Sequence, residues 1–264
     1  MLNGGRLLAL AILMAVSAAA YAQDAKKLVE QAVRAELAAD AADHTHWLFY
    51  EVDQKPGVQV KQWVAQAAHG DLTRMVEKNG QPVSKDQSRK AMESFAQSTS
   101  AQARQRKSGE HDDKQATEML NMLPRAFIWS DTGSRDGNTT LHFKPDPQFH
   151  PPSYQARVFA AMEGDMRVND AEHRIVSLKG RLVRDVKFGG GLLGELQAGG
   201  SFDVERRQTG GAWQITETHV HIQGHALLFK DISEQEDDVK SRFKQLPGNI
   251  SFADAEKDLL ALNE

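Results

Sequence analysis

From His173 to Phe188 the chain reads HRIVSLKGRLVRDVKF, with Val176, Leu178, Leu182, Val186 and Phe188 at one parity and Ser177, Lys179, Arg181, Asp185 and Lys187 at the other. Alternation with a period of two is the signature of a strand with one dry and one wet face. A long strand is therefore expected here. Its dry face has to be covered by something apolar, and that requirement constrains the rest of the chain.

The neighbours are strand-like as well. Val158 to Val168, Ser201 to Arg206, Trp213 to Ile222 and Ala226 to Ile232 read as strands of a meander, separated by Asn169-Asp170, a glycine-rich loop, Gly210-Gly211 and Gly224. Phe127 to Trp129 and Thr140 to Phe143 flank a polar turn, and KPDPQFHPPS reads as an extended crossover loop. Earlier, HTHWLFYEV and VQVKQWVAQAAHGDLTRMV are broken by Pro56-Gly57, Gly70-Asp71 and Asn79-Gly80, which predicts three antiparallel strands.

Helical texture is confined to two regions. Ala25 to Ala42 is alanine-rich and places Leu28, Ala32, Ala35 and Ala39 at helical spacing. Ser84 reads as the N-cap of a second stretch carrying Met92 and Phe95, while Arg104 to Gln115 is all polar and reads as a solvated helix extension or a mobile loop. MLNMLP closes the region, with Pro124 expected to stop the helix. The fold class that follows is α+β, a large curved antiparallel sheet wrapped around covering helices.

The first residues read as an address. Arg6, the apolar run Leu7 to Val16 and Ala20-Tyr21-Ala22 form the three parts of a secretory signal peptide, with cleavage expected after Ala22. The apolar run is about half of the roughly 20 residues that span a bilayer. Residues 23–264 would form one soluble periplasmic domain with a polar insert near 84–123, and no later segment is apolar enough to span. The chain has no cysteine, which excludes disulfides, thiolate metal sites and a lipid-modified N-terminal Cys. A formal charge of -4 argues against nucleic acid as a partner.

The order of helix, three strands, helical insert and long meander behind a signal peptide resembles the bacterial periplasmic lipoprotein-carrier superfamily, the LolA-, LolB- and RseB-like proteins. More closely, NGQPVS, MLPRAFIW, PDPQFHPPS, VFAAMEG, GRLVRDVKFGGGLLGELQAGGSFDV and ALLFK resemble a set of uncharacterised secreted bacterial proteins. The resemblance covers most of residues 23–264. It implies a half-open β-barrel that binds hydrophobic groups and catalyses nothing. It carries over no individual ligand-contacting residue.

Candidate sites were weighed on that background. GGGLLG (Gly189 to Gly194) satisfies G-x-G-x-x-G, but a strand rather than a helix is expected after it, so it reads as a hairpin tip presenting Leu192, Leu193 and Leu196. Glu217, His219 and His221 fall on one strand face, the imidazoles about 6.6 Å apart along it, with His225 beyond; they are the metal-like constellation, and a solvated sheet face is the favoured reading. His44 and His46 form a second pair. No G-x-S-x-G, H-E-x-x-H, P-loop or Cys/His pair appears, and Glu163, Asp165, Asp185, Asp203 and Glu205 read as an outer solvated face.

The function expected is that of a non-catalytic exported carrier or sensor without a cofactor. An acyl chain, lipid or lipoprotein would lie against Val176, Leu178, Leu182, Val186 and Phe188, in a cavity of at least roughly 300 Å3 with Leu192 and Leu193 at its mouth. The alternatives are an interaction module of envelope assembly or stress sensing with a collapsed cavity, and a metal-binding protein or hydrolase. The address makes a direct prediction: mass analysis of protein recovered from the envelope should find the N-terminus at or near Gln23, and an intact Met1 on exported protein would contradict it.

Overall fold

The computed structural model describes residues 4–189, 194–225 and 234–263. Helix α1 (Gly4–Ala42) is followed by β1 (His46–Lys55), β2 (Val58–Ala67), β3 (Gly70–Lys78) and the short β4 (Gln81–Pro82). Asn79 and Gly80 take φ of 51° and 75°, the left-handed pair that lets a two-residue turn follow the twist of its strands. Helix α2 (Lys85–Gln97) starts at the expected N-cap: the Ser84 hydroxyl accepts from Gln87 N–H and the Gln87 side chain accepts from Ser84 N–H.

Helix α3 (Thr99–Ala126) takes in the polar stretch Arg104 to Gln115, so of the two readings the solvated helix is the one found. Pro124 lies inside α3 and the helix ends at Ala126, two residues later than expected. Trp129 Nε1–H donates to the Leu123 carbonyl at 3.0 Å, satisfying one of the acceptors that a helix end leaves open.

The second half continues with β5 (Phe127–Arg135), β6 (Asn138–Pro145), α4 (Tyr154–Phe159), β7 (Met162–Asn169), β8 (Ile175–Leu182), β9 (Val186–Phe188) and β10 (Gly194–Leu196). It ends with β11 (Ser201–Thr209), β12 (Ala212–Ile222), β13 (Gly224–His225), β14 (Glu234–Leu246) and α5 (Phe252–Ala261). Among the described residues eleven strands form one antiparallel sheet in the order β4-β3-β2-β1-β14-β12-β11-β8-β7-β6-β5, which stays open; β13, β10 and β9 form a small second sheet. The α+β class with a large antiparallel sheet and covering helices is the architecture observed.

Three local expectations need correction. Val158 belongs to α4, because Ser153 caps a short helix there, and the strand starts only at Met162. The run 173–188 is not one strand: the chain turns a corner after Leu182, and Val186 to Phe188 pair in the small sheet. Nor does Val176 hold a core position. The register slips so that Val168 faces Ile175 while Arg167 faces Ser177, and Ile175 enters the core in its place. The strand expected over Ala226 to Ile232 lies outside the described residues.

Apolar cover is divided between the two faces of the sheet. Leu48, Trp63, Ala65 and Leu72 pack with Met92 of α2 and with Ala255 and Leu259 of α5. Followed across the ladder, Leu48 and Val52 share a face with Val239, Glu217 and Asp203, whereas Phe202, Leu178, Met166 and Leu141 lie on the opposite one. That opposite face is covered by α1, α4 and the end of α3. On α1 the buried stripe is Ala25, Val29, Ala32, Val33 and Glu36, displaced by about one residue from the stripe read in the sequence.

Glu36 is 6% exposed and joins α1 to the sheet. It accepts from Arg174 Nη2 at 2.9 Å and from Ile175 N–H at 2.6 Å, and it pairs with Arg206 Nη1 at 2.6 Å. Burial pushes its carboxyl up, but the bonds from Arg174, Arg206 and Ile175 outweigh burial and hold it below the ordinary range. Removing one partner of such a node strands the others. Glu36→Ala is expected to lower unfolding free energy by about 3–5 kcal/mol in urea titrations, and a loss under about 1 kcal/mol would show that the node is incidental.

Candidate functional site

The sheet face expected to hold a ligand is packed. Leu182 and Val186 are 1% and 3% exposed, and Leu178 and Phe188 pack against the same cluster from half-buried positions. Aromatic side chains of β5, β6 and α4 fill it together with the residues of α1 and α3. Phe127 lies 4.7 Å from Phe143 and 5.0 Å from Phe159, centroid to centroid, and Trp129 lies 5.3 Å from Phe143. Gly180 makes room for this layer, since a Cβ there would come within 2.6 Å of the Phe202 ring. The expectation of a cavity of at least roughly 300 Å3 on this face left these aromatic residues out of account. Leu192 and Leu193 lie outside the described residues, while Leu196 is buried in the core cluster.

Shallow clefts among the described residues lie elsewhere. One of about 290 Å3 lies by the β1–β2 turn, at Gln54, Gly57 and Asn79. Another, about 280 Å3, lies between β12 and β14 and is lined by Arg207, Glu217 and Arg242 among others. Neither lies between the sheet and the helices.

Glu217, His219 and His221 lie on the face of the central strands that no helix packs against among the described residues. The residue that organises them is one the sequence reading missed, Asp237 of β14, which stands opposite His219 in the ladder. His219 Nδ1 lies 2.6 Å from Asp237 Oδ1 and His221 Nε2 lies 3.1 Å from the same oxygen, while Glu217 is 3.8 Å from His219 and engaged by Arg207 at 2.8 Å. An 18-residue separation in sequence hides this pairing, because strand register is not written locally.

Among the described residues no group of three or more His, Asp or Glu side chains is placed to hold a metal ion. His225 belongs to β13 of the small sheet, and His44 and His46 stand by the far end of β1, where His46 pairs with Leu246. The carboxylates on this face are likewise taken up by cations and imidazole. Lys179 bridges Asp203 and Glu205 at 3.0 and 2.6 Å, and His142 lies 3.0 Å from Asp165 and 3.4 Å from Glu163. Asp185 accepts from Ala198 N–H at the corner after Leu182.

The bond to Asp237 raises the His219 pKa above its ordinary value, and the bond from His219 lowers that of Asp237. A histidine raised by folding adds stability that is fully present below about 6.5 and is lost as pH climbs through the folded value. Urea titrations should therefore find wild type more stable than His219→Gln at about pH 5.5, with the gap closing towards about pH 8.5. A gap independent of pH would contradict the pairing.

Among the described residues no helix is long and apolar enough to cross a membrane. No protein-family model, curated protein or solved structure matches the chain.

Proposed function

We propose that this chain is an exported, non-catalytic binding module of the cell envelope, engaging a protein partner through its open sheet face rather than carrying an acyl chain in its core. The observation that carries the reading is the packing around Leu182. A side chain 1% exposed inside a cluster of Trp129, Phe143, Met166 and Val186 leaves an apolar guest no room beside it. The signal-peptide pattern supports export, and the resemblance to lipoprotein carriers supplies the envelope setting.

The uncovered face suits a partner better than it suits chemistry. Its carboxylates and histidines are held in pairs across neighbouring strands, an arrangement that fixes a charge pattern. Charge patterns of this kind set orientation and selectivity in protein association. The strands there are hydrogen-bonded on both sides within the large sheet, so a partner would meet a laddered surface.

Substitution at Leu182 separates this reading from the carrier. With the core full, wild type should bind no fluorescent fatty-acid probe, and Leu182→Trp should lower stability by about 1–3 kcal/mol through overpacking. Saturable probe binding by wild type, abolished by Leu182→Trp with no change in melting temperature, would overturn the proposal in favour of a lipid carrier.

A further inference from the structure

Strands β12 and β14 pair from Glu217 and Val239 to Ile222 and Glu234, while β14 continues beside β1 as far as Leu246. The two strands therefore part beyond Glu217, and the cleft of about 280 Å3 opens at their fork. Its rim carries Arg207, Thr209, Ser241 and Arg242 against a single carboxylate, Glu217.

The backbone at this fork is unusual. Between the pairs Leu48–Lys244 and Tyr50–Ser241, β14 holds two residues where β1 holds one, and Arg242 takes the left-handed conformation with φ of 57°. Residues with a Cβ rarely adopt that conformation, and such departures concentrate where a side chain has to be aimed. Phe243 turns towards Trp47 and Phe49 in a small apolar cluster. Arg242 instead lies over the Tyr50 and Trp63 rings, its guanidinium carbon 5.1 and 5.7 Å from their centroids.

A cation held over aromatic rings spends none of its N–H donors on an ionised partner. Among the described residues Arg242 forms no ion pair, although it is exposed beside the cleft. Arg207 gives Nη2 to Glu217 at 2.8 Å and keeps further donors. Lys240 also borders the cleft, but its ammonium is engaged by Asp238 at 2.9 Å and Glu51 at 3.6 Å. Two guanidinium groups, one lying over aromatic rings and one in an ion pair, line the same cleft as Thr209 and Ser241, a donor set suited to an oxyanion.

We propose that the fork between β12 and β14 binds a small oxyanion, a phosphate or a carboxylate, through Arg242 and Arg207. The site stands apart from the core and from the question of whether a lipid is carried there.

Calorimetric titration of the full mature chain at low ionic strength, with inorganic phosphate in one arm and succinate in the other, tests it and separates the two sources. One arm should show saturable one-site binding, weakened at least about tenfold in both Arg242→Gly and Arg207→Gln. Glycine adopts the left-handed conformation without strain, so the melting temperature of Arg242→Gly reports any damage from the lost contact with the rings separately from binding. The proposal is overturned if neither anion gives saturable binding, if both variants bind as wild type does, or if sodium chloride at equal ionic strength reproduces the same heats.

Discussion

The contact on which the fold turns is the buried carboxylate of Glu36. An amphipathic helix laid across a sheet gains apolar burial but little sense of register. Glu36 supplies that register, because it meets the sheet where two ladders slip: Ile175, beside the irregularity between β7 and β8, and Arg206, beside the one between β11 and β12. Slipped ladders leave backbone groups to be satisfied by other means. Arg206 also donates to the Ile175 and Trp213 carbonyls, so helix, bulges and hairpin are tied at one place.

The second organising fact is that apolar cover changes face along the sheet. At the β1–β3 end, α2 and α5 pack on one side, and Arg74, 2% exposed, donates to the Leu259 and Leu262 carbonyls at the end of α5. A guanidinium there satisfies acceptors that the helix leaves open and complements the helix dipole. At the other end α1, α4 and the end of α3 pack on the opposite side. Helix α3 connects the two regions: Gln105 near its start is bonded to Asp71 at the β2–β3 turn, and Leu123 near its end lies in the other core. At the β1–β3 end the face away from α2 and α5 is closed by the small Trp47, Phe49 and Val64 cluster, and the Asp237 cluster lies on the face opposite the one that α1 packs against.

The class of the fold was legible wherever a local rule dominates. The period-two run gave β8, glycine punctuation gave β11, β12 and the three strands after α1, and Ser84 gave the start of α2. What escaped depends on contacts distant in sequence. β14 carries charge at both parities, Glu236, Asp238 and Lys240 on one and Asp237 on the other, so it has no dry face to recognise, yet it joins β1 to β12 at the centre of the sheet. α5 was readable in principle, since Ser251 accepts from Asp254 N–H in a standard N-cap, but it follows a strand that had gone unread. At the candidate sites, the face shared by Glu217, His219 and His221 was legible; Asp237, the fork at Arg242 and the bulge that displaces Val176 were matters of register.

Whether the interior is filled by protein alone decides between a binding module and a carrier. Native mass spectrometry of the chain purified from the envelope without detergent addresses that point directly. A single species at the mass of the chain beginning near Gln23 is the result the packing around Leu182 predicts. A stoichiometric adduct of acyl or lipid mass that is lost on denaturation would contradict it.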